Sequence, residues 1–595
     1  MPSNSPLNPP LSVAHPLSAH GVGRWTWLLL VIYFVSGMTG LAYEVLWARM
    51  LSLQFGVSIF GVVIVVAAFM AGLGGGSLLG TRWARRSLSP LLIFAALEGS
   101  VGLYALGIPW LQQTVDGALG GGGAQASLTV WYALQGGVAL LLLFIPALAL
   151  GASFPLMLKV LESGAASPKS PLARMYGLNA LGGALGALLP LLLLPVLGWS
   201  KAIYVVAGIS LCVAITAFLL SLWLRSAAGA VKYDNPTPAP IVDASLPAMP
   251  IPVLSLLAYG GVGAAALMLQ VGWTRLFGMI LLRTEYVLAV LLAVFLVGIG
   301  VGSLVARPGM RVGAATVWFA ILPVLAGGMS VLGLACLPWL AEWVEQARFT
   351  SLADALWWQG LAVAVLTLPV TLVLGAWLPL LTARLGGHPA AAPWLYGINS
   401  LGAALGAMAA GFVLIPWLGT PATLCLAAAL LFFCGQLLCI PAPAALGHPA
   451  RRMVWAPKTL VARGSWGVMV LVGVLAWQGR LYELPPVRTL LPVAQAGSQD
   501  VYLHEDALSI THVVERPDGQ RLLLADLQRM DASSDPTAVE SQQNQARLPL
   551  LLHAAPRSVL FLGLGTGISA AGSLPFFAAG THRRRAFARR HHRRE

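Results

Sequence analysis

The sequence predicts a mainly α-helical fold: a polytopic membrane bundle of 12 or 13 helices in two repeats, followed by a C-terminal module of short β-strands and the start of an α/β unit. Of the 595 residues, 58% are hydrophobic and 9% are charged, which leaves too little polar surface for a soluble globule of this length. Apolar runs of about 20 residues, each able to cross a hydrocarbon core of roughly 30 Å, recur between residues 25 and 478.

An internal repeat is the third observation that predicts this fold. Residues 36–80 recur without a gap 226 positions later, so the chain is predicted to be a duplicated bundle. Later segments that begin at Tyr176 and Tyr396, YGLNALGGALGA and YGINSLGAALGA, continue the repeat. The aligned pairs include Trp47 with Trp273, Arg49 with Arg275, Phe69 with Phe295, Gly74 with Gly300, Ser77 with Ser303, and GASFPL from Gly151 with GAWLPL from Gly375.

The predicted domains follow the apolar runs along the chain. A disordered tail (1–24) precedes a first transmembrane repeat (25–225), a linker (226–250) and a second repeat (251–440). Residues 441–480 are predicted to form a loop and an additional membrane helix. The expected spans are 25–50, 57–80, 90–112, 129–158, 172–197 and 201–224 in the first repeat, 252–282, 286–306, 314–340, 356–383, 393–418 and 420–440 in the second, and 464–479.

Charge indicates orientation and partners. The net charge is +14, and seven arginines among residues 583–595 supply much of it, so a nucleic-acid partner is not expected. With a cytoplasmic N-terminus, most loop Lys and Arg residues fall on the cytoplasmic face. We therefore expect a multi-pass protein of a bacterial-type inner (plasma) membrane, with the lipid bilayer as its partner. The side of the membrane that carries the C-terminal module depends on residues 464–479, which either span the membrane or form a re-entrant or interfacial helix.

The five cysteines lack metal-ligand spacing, so no metal is expected.

Polar residues inside apolar spans are candidate site residues. Glu44, Arg49, Arg275 and Glu285 lie within spans or at their ends, where an unpaired charge costs a few kcal/mol. They indicate a substrate or ion site between the repeats, or, for the arginines, side chains that reach the membrane interface.

Two asparagines, Asn179 and Asn399, occupy equivalent places in the two repeats. Each follows a tyrosine by three residues and precedes a GxxxG spacing, which indicates close helix packing. The segment from Gly76 to Arg86 resembles the loop between the second and third helices of major facilitator transporters, although Thr81 stands where an Asp is usual. Two sets of six helices joined by a polar linker also fit that architecture.

The composition changes after residue 480. Alternating residues predict a small β-domain with a hairpin turn at Pro517-Asp518-Gly519, and then a polar helix over residues 536–552, within a domain of 481–555. Residues 556–580 read as a buried strand, a glycine-rich turn and the start of a helix.

Together these motifs resemble the membrane-fused spermidine synthase-like proteins, through the repeat SGMTGLAYEVLWARMLSLQFG and through YLHEDALS, LADLQ, LPLLLH and VLFLGLGTGISA. The resemblance implies a Rossmann-like domain that begins at residue 556 and transfers an aminopropyl group from decarboxylated S-adenosylmethionine, as co-substrate, to a diamine. It places Gln528 near the amine of the donor, and Gly563, Gly565 and Gly567 in the donor-binding turn.

Several family features are absent from this sequence. Ser541 and Gln543 stand where the family carries Tyr and Glu, and no catalytic Asp loop follows. Residues 581–595 are expected to be an Arg-rich product of a frameshift, or else a basic arm. We therefore expect a truncated domain without catalytic residues, inactive in polyamine biosynthesis. The alternative is a major-facilitator-like transporter of a polyamine or another small cation, with Glu44 in its site.

Overall fold

The computed structural model describes residues 19–55, 59–120, 128–163, 171–230, 251–281, 285–306, 312–385, 388, 390–439, 484–506 and 509–577. Long helices make up the two repeats. Those of the first repeat are α1 (Ala19–Phe55), α2 (Ile59–Arg86), α3 (Pro90–Gly120), α4 (Leu128–Ser163) and α5 (Pro171–Ala230). The predicted helix at 464–479, the linker over 231–250 and the tail after residue 577 lie outside the described residues.

The second repeat repeats this order of helices. Its elements are α6 (Val253–Ile280), α7 (Glu285–Val305), α8 (Val312–Ala335), α9 (Leu337–Gln346), α10 (Leu352–Arg384), α11 (Ala391–Ala409), a π-helical turn (Ala410–Leu414), α12 (Ile415–Leu418) and α13 (Thr420–Cys439). Ten described helices are long and apolar enough to cross a membrane, and the bent pair α8–α9 would be an eleventh span. The protein is therefore a multi-pass membrane protein, with a helical bundle in contact with the bilayer.

A single glycine breaks α5 into two arms. Gly198 has φ 69° and ψ 177°, a conformation that glycine adopts without a Cβ clash. The 60 residues of α5 are enough for two membrane crossings, so the break allows the second arm to return through the bilayer. Gly419, with φ 82°, separates α12 from α13 at the corresponding place in the second repeat.

The two repeats pack their helices in the same way. In the first repeat α1 and α3 pack on α5, and α2 packs on α4. In the second, α6 packs on α11, α7 on α10 and α8 on α13. The repeats meet along two pairs of helices, α2 with α11 and α5 with α7. We call the end of the bundle where α1 begins the near side, and the end where α1 finishes the far side.

The C-terminal module contains the predicted small antiparallel sheet. The strands β1 (Gln499–Glu505), β2 (Ile510–Glu515), β3 (Arg521–Ala525) and β4 (Gln528–Ser533) pair in sequence order. The predicted turn connects β2 to β3, with Gly519 at φ 79°. The remaining helices of the module are α14 (Val487–Leu490), α15 (Pro536–Leu552), α16 (Ile568–Ala571) and α17 (Leu574–Phe577).

The predicted start of a Rossmann-like domain is wrong. Residues 557–562 form no strand, and Leu560 and Leu562 are 66% and 93% exposed. A buried strand needs a neighbour to satisfy its backbone N–H and C=O groups. Among the described residues, the four strands pair only with one another and only antiparallel, so no parallel neighbour is available to this segment.

Candidate functional site

Towards the near side, the two repeats contact each other through glycines. A Cβ on Gly74 of α2 would lie 2.8 Å from the carbonyl oxygen of Gly397 of α11. A Cβ on Gly177 of α5 would lie 2.9 Å from the carbonyl oxygen of Gly300 of α7. These two pairs are equivalent under the sequence repeat, so the same backbone contact occurs twice across the interface.

Two serines add a hydrogen bond to each of these contacts. Ser77 Oγ donates to the carbonyl oxygen of Pro393 at 2.9 Å, and Ser303 Oγ donates to that of Ala173 at 3.1 Å. Both serines are fully buried. Small residues permit the helix backbones to approach closely, and one hydrogen bond joins the helices at each contact.

An aromatic cluster lies between the repeats at this same level. Phe154 stacks on Tyr396 with ring centroids 4.4 Å apart, and Tyr176 stands edge-on to both rings, 6.5 Å from Phe154 and 6.2 Å from Tyr396. Tyr33 and Tyr259, which are repeat equivalents, are also buried, at 4% and 3% exposure. The cluster thus joins side chains of the two repeats on the near side of the bundle.

The two asparagines hold helices together within each repeat. Asn179 Nδ2 donates to the carbonyl oxygen of Tyr33 at 2.9 Å, joining α5 to α1. Asn399 Nδ2 donates to that of Tyr259 at 3.0 Å, joining α11 to α6. The structure thus places both amides in packing contacts between helices and not across the repeat interface.

Glu44 lies on a buried face of α1. Its side chain is 2% exposed, and Oε2 makes no hydrogen bond to any residue that the structure describes. Val45, on one edge of this face, packs in a cluster with residues of α5 and α7, whereas Trp47, on the other edge, packs in a cluster with α3 and α4. At 3.6 residues per turn Glu44 points between these two edges.

The level of Glu44 in the bundle separates it from the aromatic cluster. It follows Tyr33 by 11 residues, which is about 16 Å along the helix towards the far side. The equivalent position in the second repeat is Gln270, also buried at 6% exposure. The site is therefore asymmetric, with a carboxyl group on one repeat and a neutral amide on the other.

Sequence reasoning missed a second buried carboxyl group, Glu98 of α3. Ser36 Oγ of α1 donates to Glu98 Oε1 at 2.5 Å, and Glu98 is 1% exposed. Its Oε2 has no hydrogen-bond partner among the described residues. The rule that singled out Glu44, an acidic residue within an apolar span, applies equally to Glu98 and would have found it.

The two candidate arginines lie towards the far side. Arg49 is partly buried near the end of α1. Arg275 forms an ion pair with Glu505 of β1, with Nε 3.2 Å from Oε1. Arg275 therefore contacts the C-terminal module, a partner that is 230 residues away in the sequence and that no span-based reasoning would find. Glu285 is the first residue of α7.

The residues assigned to donor binding do not line a common pocket in the described part of the chain. Gln528 begins β4, and Gly563, Gly565 and Gly567 lie in an exposed segment with positive φ angles. A Cβ on Gly563 or Gly565 would meet no atom within 4 Å. Within the described parts of the chain, no group of three or more His, Cys, Asp or Glu residues is placed to hold a metal ion.

Comparison with known proteins finds similarity only at the level of solved structures. The sequence matches no family model and no curated protein. A matching solved structure is that of an auto-inhibited POT family peptide transporter. It is 15% identical, covers 74% of this chain and 97% of its own, and has a TM-score of 0.34. Similarity this distant assigns neither a function nor a substrate.

The resemblance to spermidine synthase-like proteins is therefore corrected. The segment expected to begin the donor-binding sheet forms no strand, and Gly563 and Gly565 of the expected donor-binding turn are exposed. The roles of Gln528 and the three glycines came from that resemblance alone. Aminopropyl transfer, active or lost, is thus not the function indicated for this chain.

Proposed function

We propose that the protein is a membrane transporter that carries a small cationic solute between its two repeats. The observation that carries the proposal is the repeated pair of glycine contacts, Gly74 with Gly397 and Gly177 with Gly300, together with the aromatic cluster that joins the repeats on the near side. Two similar halves that touch through backbone and small residues can rock against each other, which exposes a site between them first to one side and then to the other.

The preference for a cation follows from the charges inside the bundle. Glu44 and Glu98 are both buried, and neither forms an ion pair with a described Lys or Arg residue. A buried carboxylate without a cationic partner is unfavourable, so a bound cation would stabilise it. Glu44, whose equivalent in the second repeat is the neutral Gln270, is the proposed solute ligand. A polyamine is one member of this class.

The proposal predicts that Glu44→Gln reduces solute uptake at least about tenfold, because the amide keeps the size and loses the charge. The measurement is the initial rate of radiolabelled putrescine uptake into sealed proteoliposomes that contain the full chain. Glu342→Gln, which changes an exposed carboxylate on α9, is the matched control and should leave uptake unchanged. Uptake at the unaltered rate in Glu44→Gln would exclude Glu44 as the solute ligand.

A wider panel of probes tests the transporter itself. Wild-type proteoliposomes should accumulate at least one of putrescine, spermidine and choline above liposomes without protein. Equal counts in both preparations for all three cations would refute a cation transporter.

A further inference from the structure

The C-terminal module contacts the bundle through a buried ion pair. Arg275 near the end of α6 and Glu505 at the end of β1 have side chains only 8% and 10% exposed. Arg275 Nη2 also donates to the carbonyl oxygen of Asp506. A charge pair this well shielded from solvent contributes more to position than an exposed pair, because water and salt screen its attraction less.

The same carboxylate also binds a second helix of the bundle. Glu505 Oε2 accepts a hydrogen bond from the N–H of Thr420 at 3.0 Å, and Oε1 accepts one from Thr420 Oγ1. Thr420 is the first residue of α13, where backbone N–H groups are unpaired and the helix dipole favours negative charge. Glu505 therefore bridges the end of α6 and the start of α13.

A second contact lies on α9. Glu345 accepts hydrogen bonds from the N–H groups of Val493 and Ala494, at 2.8 Å and 2.6 Å, and α14 packs against α9. Asp500 of β1 ties this segment to the sheet, since it accepts from the N–H of Val487 at 2.8 Å and bonds to His512 Nδ1 at 2.9 Å. The two contacts thus belong to one connected unit.

From these contacts we infer that the module is a clamp on the far side of the second repeat. The helices it joins, α6, α9 and α13, all belong to that repeat, so the clamp makes their far ends one rigid unit and does not tie the repeats to each other. In transport, the second repeat and the module would move as one body relative to the first repeat. Only this last step depends on the proposed transport function.

Hydrogen exchange tests the clamp without any transport assay. In the full chain, reconstituted in lipid nanodiscs, the peptide that covers residues 487–498 contains the amides bound by Glu345. Arg275→Gln and Glu505→Gln should each speed exchange in this peptide by at least about tenfold, since each removes the attraction of an ion pair that is shielded from solvent. The double variant should speed exchange by less than the product of the two single effects, because both changes remove the shared ion pair.

An exposed ion pair on the same sheet is the matched control. Arg521 Nε lies 2.8 Å from Glu515 Oε2, with the two side chains 61% and 40% exposed, so Arg521→Gln and Glu515→Gln should leave exchange at 487–498 unchanged. Glu345→Gln, which removes the charge of the second contact, should speed hydrogen exchange in the peptide 487–498 and leave exchange in α6 unchanged.

Two results would overturn the clamp. One is unchanged exchange at 487–498 in both Arg275→Gln and Glu505→Gln. The other is equally faster exchange throughout α1–α5, which would show that the ion pair stabilises the whole bundle. If the exchange result holds and no solute is transported, the clamp stands and the proposed function fails.

Discussion

Gly182→Val is expected to leave little folded protein in the membrane. A Cβ at this position would lie on the carbonyl oxygen of Phe34, so α1 and α5 would have to separate. Separation also breaks the hydrogen bond from Asn179 to Tyr33, one turn earlier on the same face. Overpacking of this kind typically costs about 1–3 kcal/mol and more where backbone is the obstacle. The yield of monodisperse protein in mild detergent and its thermal unfolding temperature measure the loss.

The chain supplies both a replicate and a control for this experiment. Gly402→Val should have the same effect, because Gly402 meets the carbonyl oxygen of Gly260 in the second repeat. Gly208→Val, in the second arm of α5, should change yield little, since a Cβ there meets no atom within 4 Å. A normal yield of Gly182→Val would contradict the close packing of α1 on α5.

Gly177→Leu is expected to fold and yet to lose transport by at least about tenfold. Gly177 lies only five residues before Gly182, but it faces Gly300 and Leu304 of the other repeat. A leucine there holds α5 and α7 apart, and the repeats can separate because small residues and one serine hydrogen bond join them at this point. The near side should therefore stay open, which stops the alternation that transport requires. The uptake assay measures this loss.

Accessibility of the interface gives the second readout for Gly177→Leu. Ser303 is fully buried beside this contact, so in a cysteine-free background Ser303→Cys should react slowly with a maleimide. With Gly177→Leu added, the reaction should be much faster, whereas Gly208→Leu should leave it slow. Wild-type uptake together with slow labelling of Gly177→Leu would show that this contact does not open during transport.

The fold of the bundle could be predicted because it depends on local composition and on the repeat. A membrane span needs only a long apolar run, and the 226-residue shift aligned Trp47 with Trp273 and Arg49 with Arg275 without a gap. The small antiparallel sheet was likewise predicted, and the structure confirms it. The expected spans 172–197 and 201–224 leave Gly198 between them, and the positive φ of this glycine divides α5 there.

The site was less predictable because its contacts join distant parts of the chain. Glu505 contacts Arg275 and Thr420, and no sequence pattern marks a contact across 230 or 85 residues. The glycine-rich turn at Gly563–Gly567 led to a wrong prediction because its local sequence pattern is present but its tertiary partner is not. Its residues have the backbone angles expected of such a turn, with Gly565 at φ 53°, but a turn acquires a binding role only when a paired strand presents it.

The one-residue turn at Gly198 has a consequence for how the protein enters the membrane. The two arms of α5 are connected without any polar loop, and Trp199 just beyond the turn donates its indole N–H to the carbonyl oxygen of Leu46 at 3.1 Å. The polar residues next to the turn, Ser200 and Lys201, belong to the second arm, so a first arm held alone across the bilayer would have only this short segment to anchor its far end. We therefore expect the insertion machinery to receive both arms as a helical hairpin, which makes this turn a poor place for an inserted epitope tag.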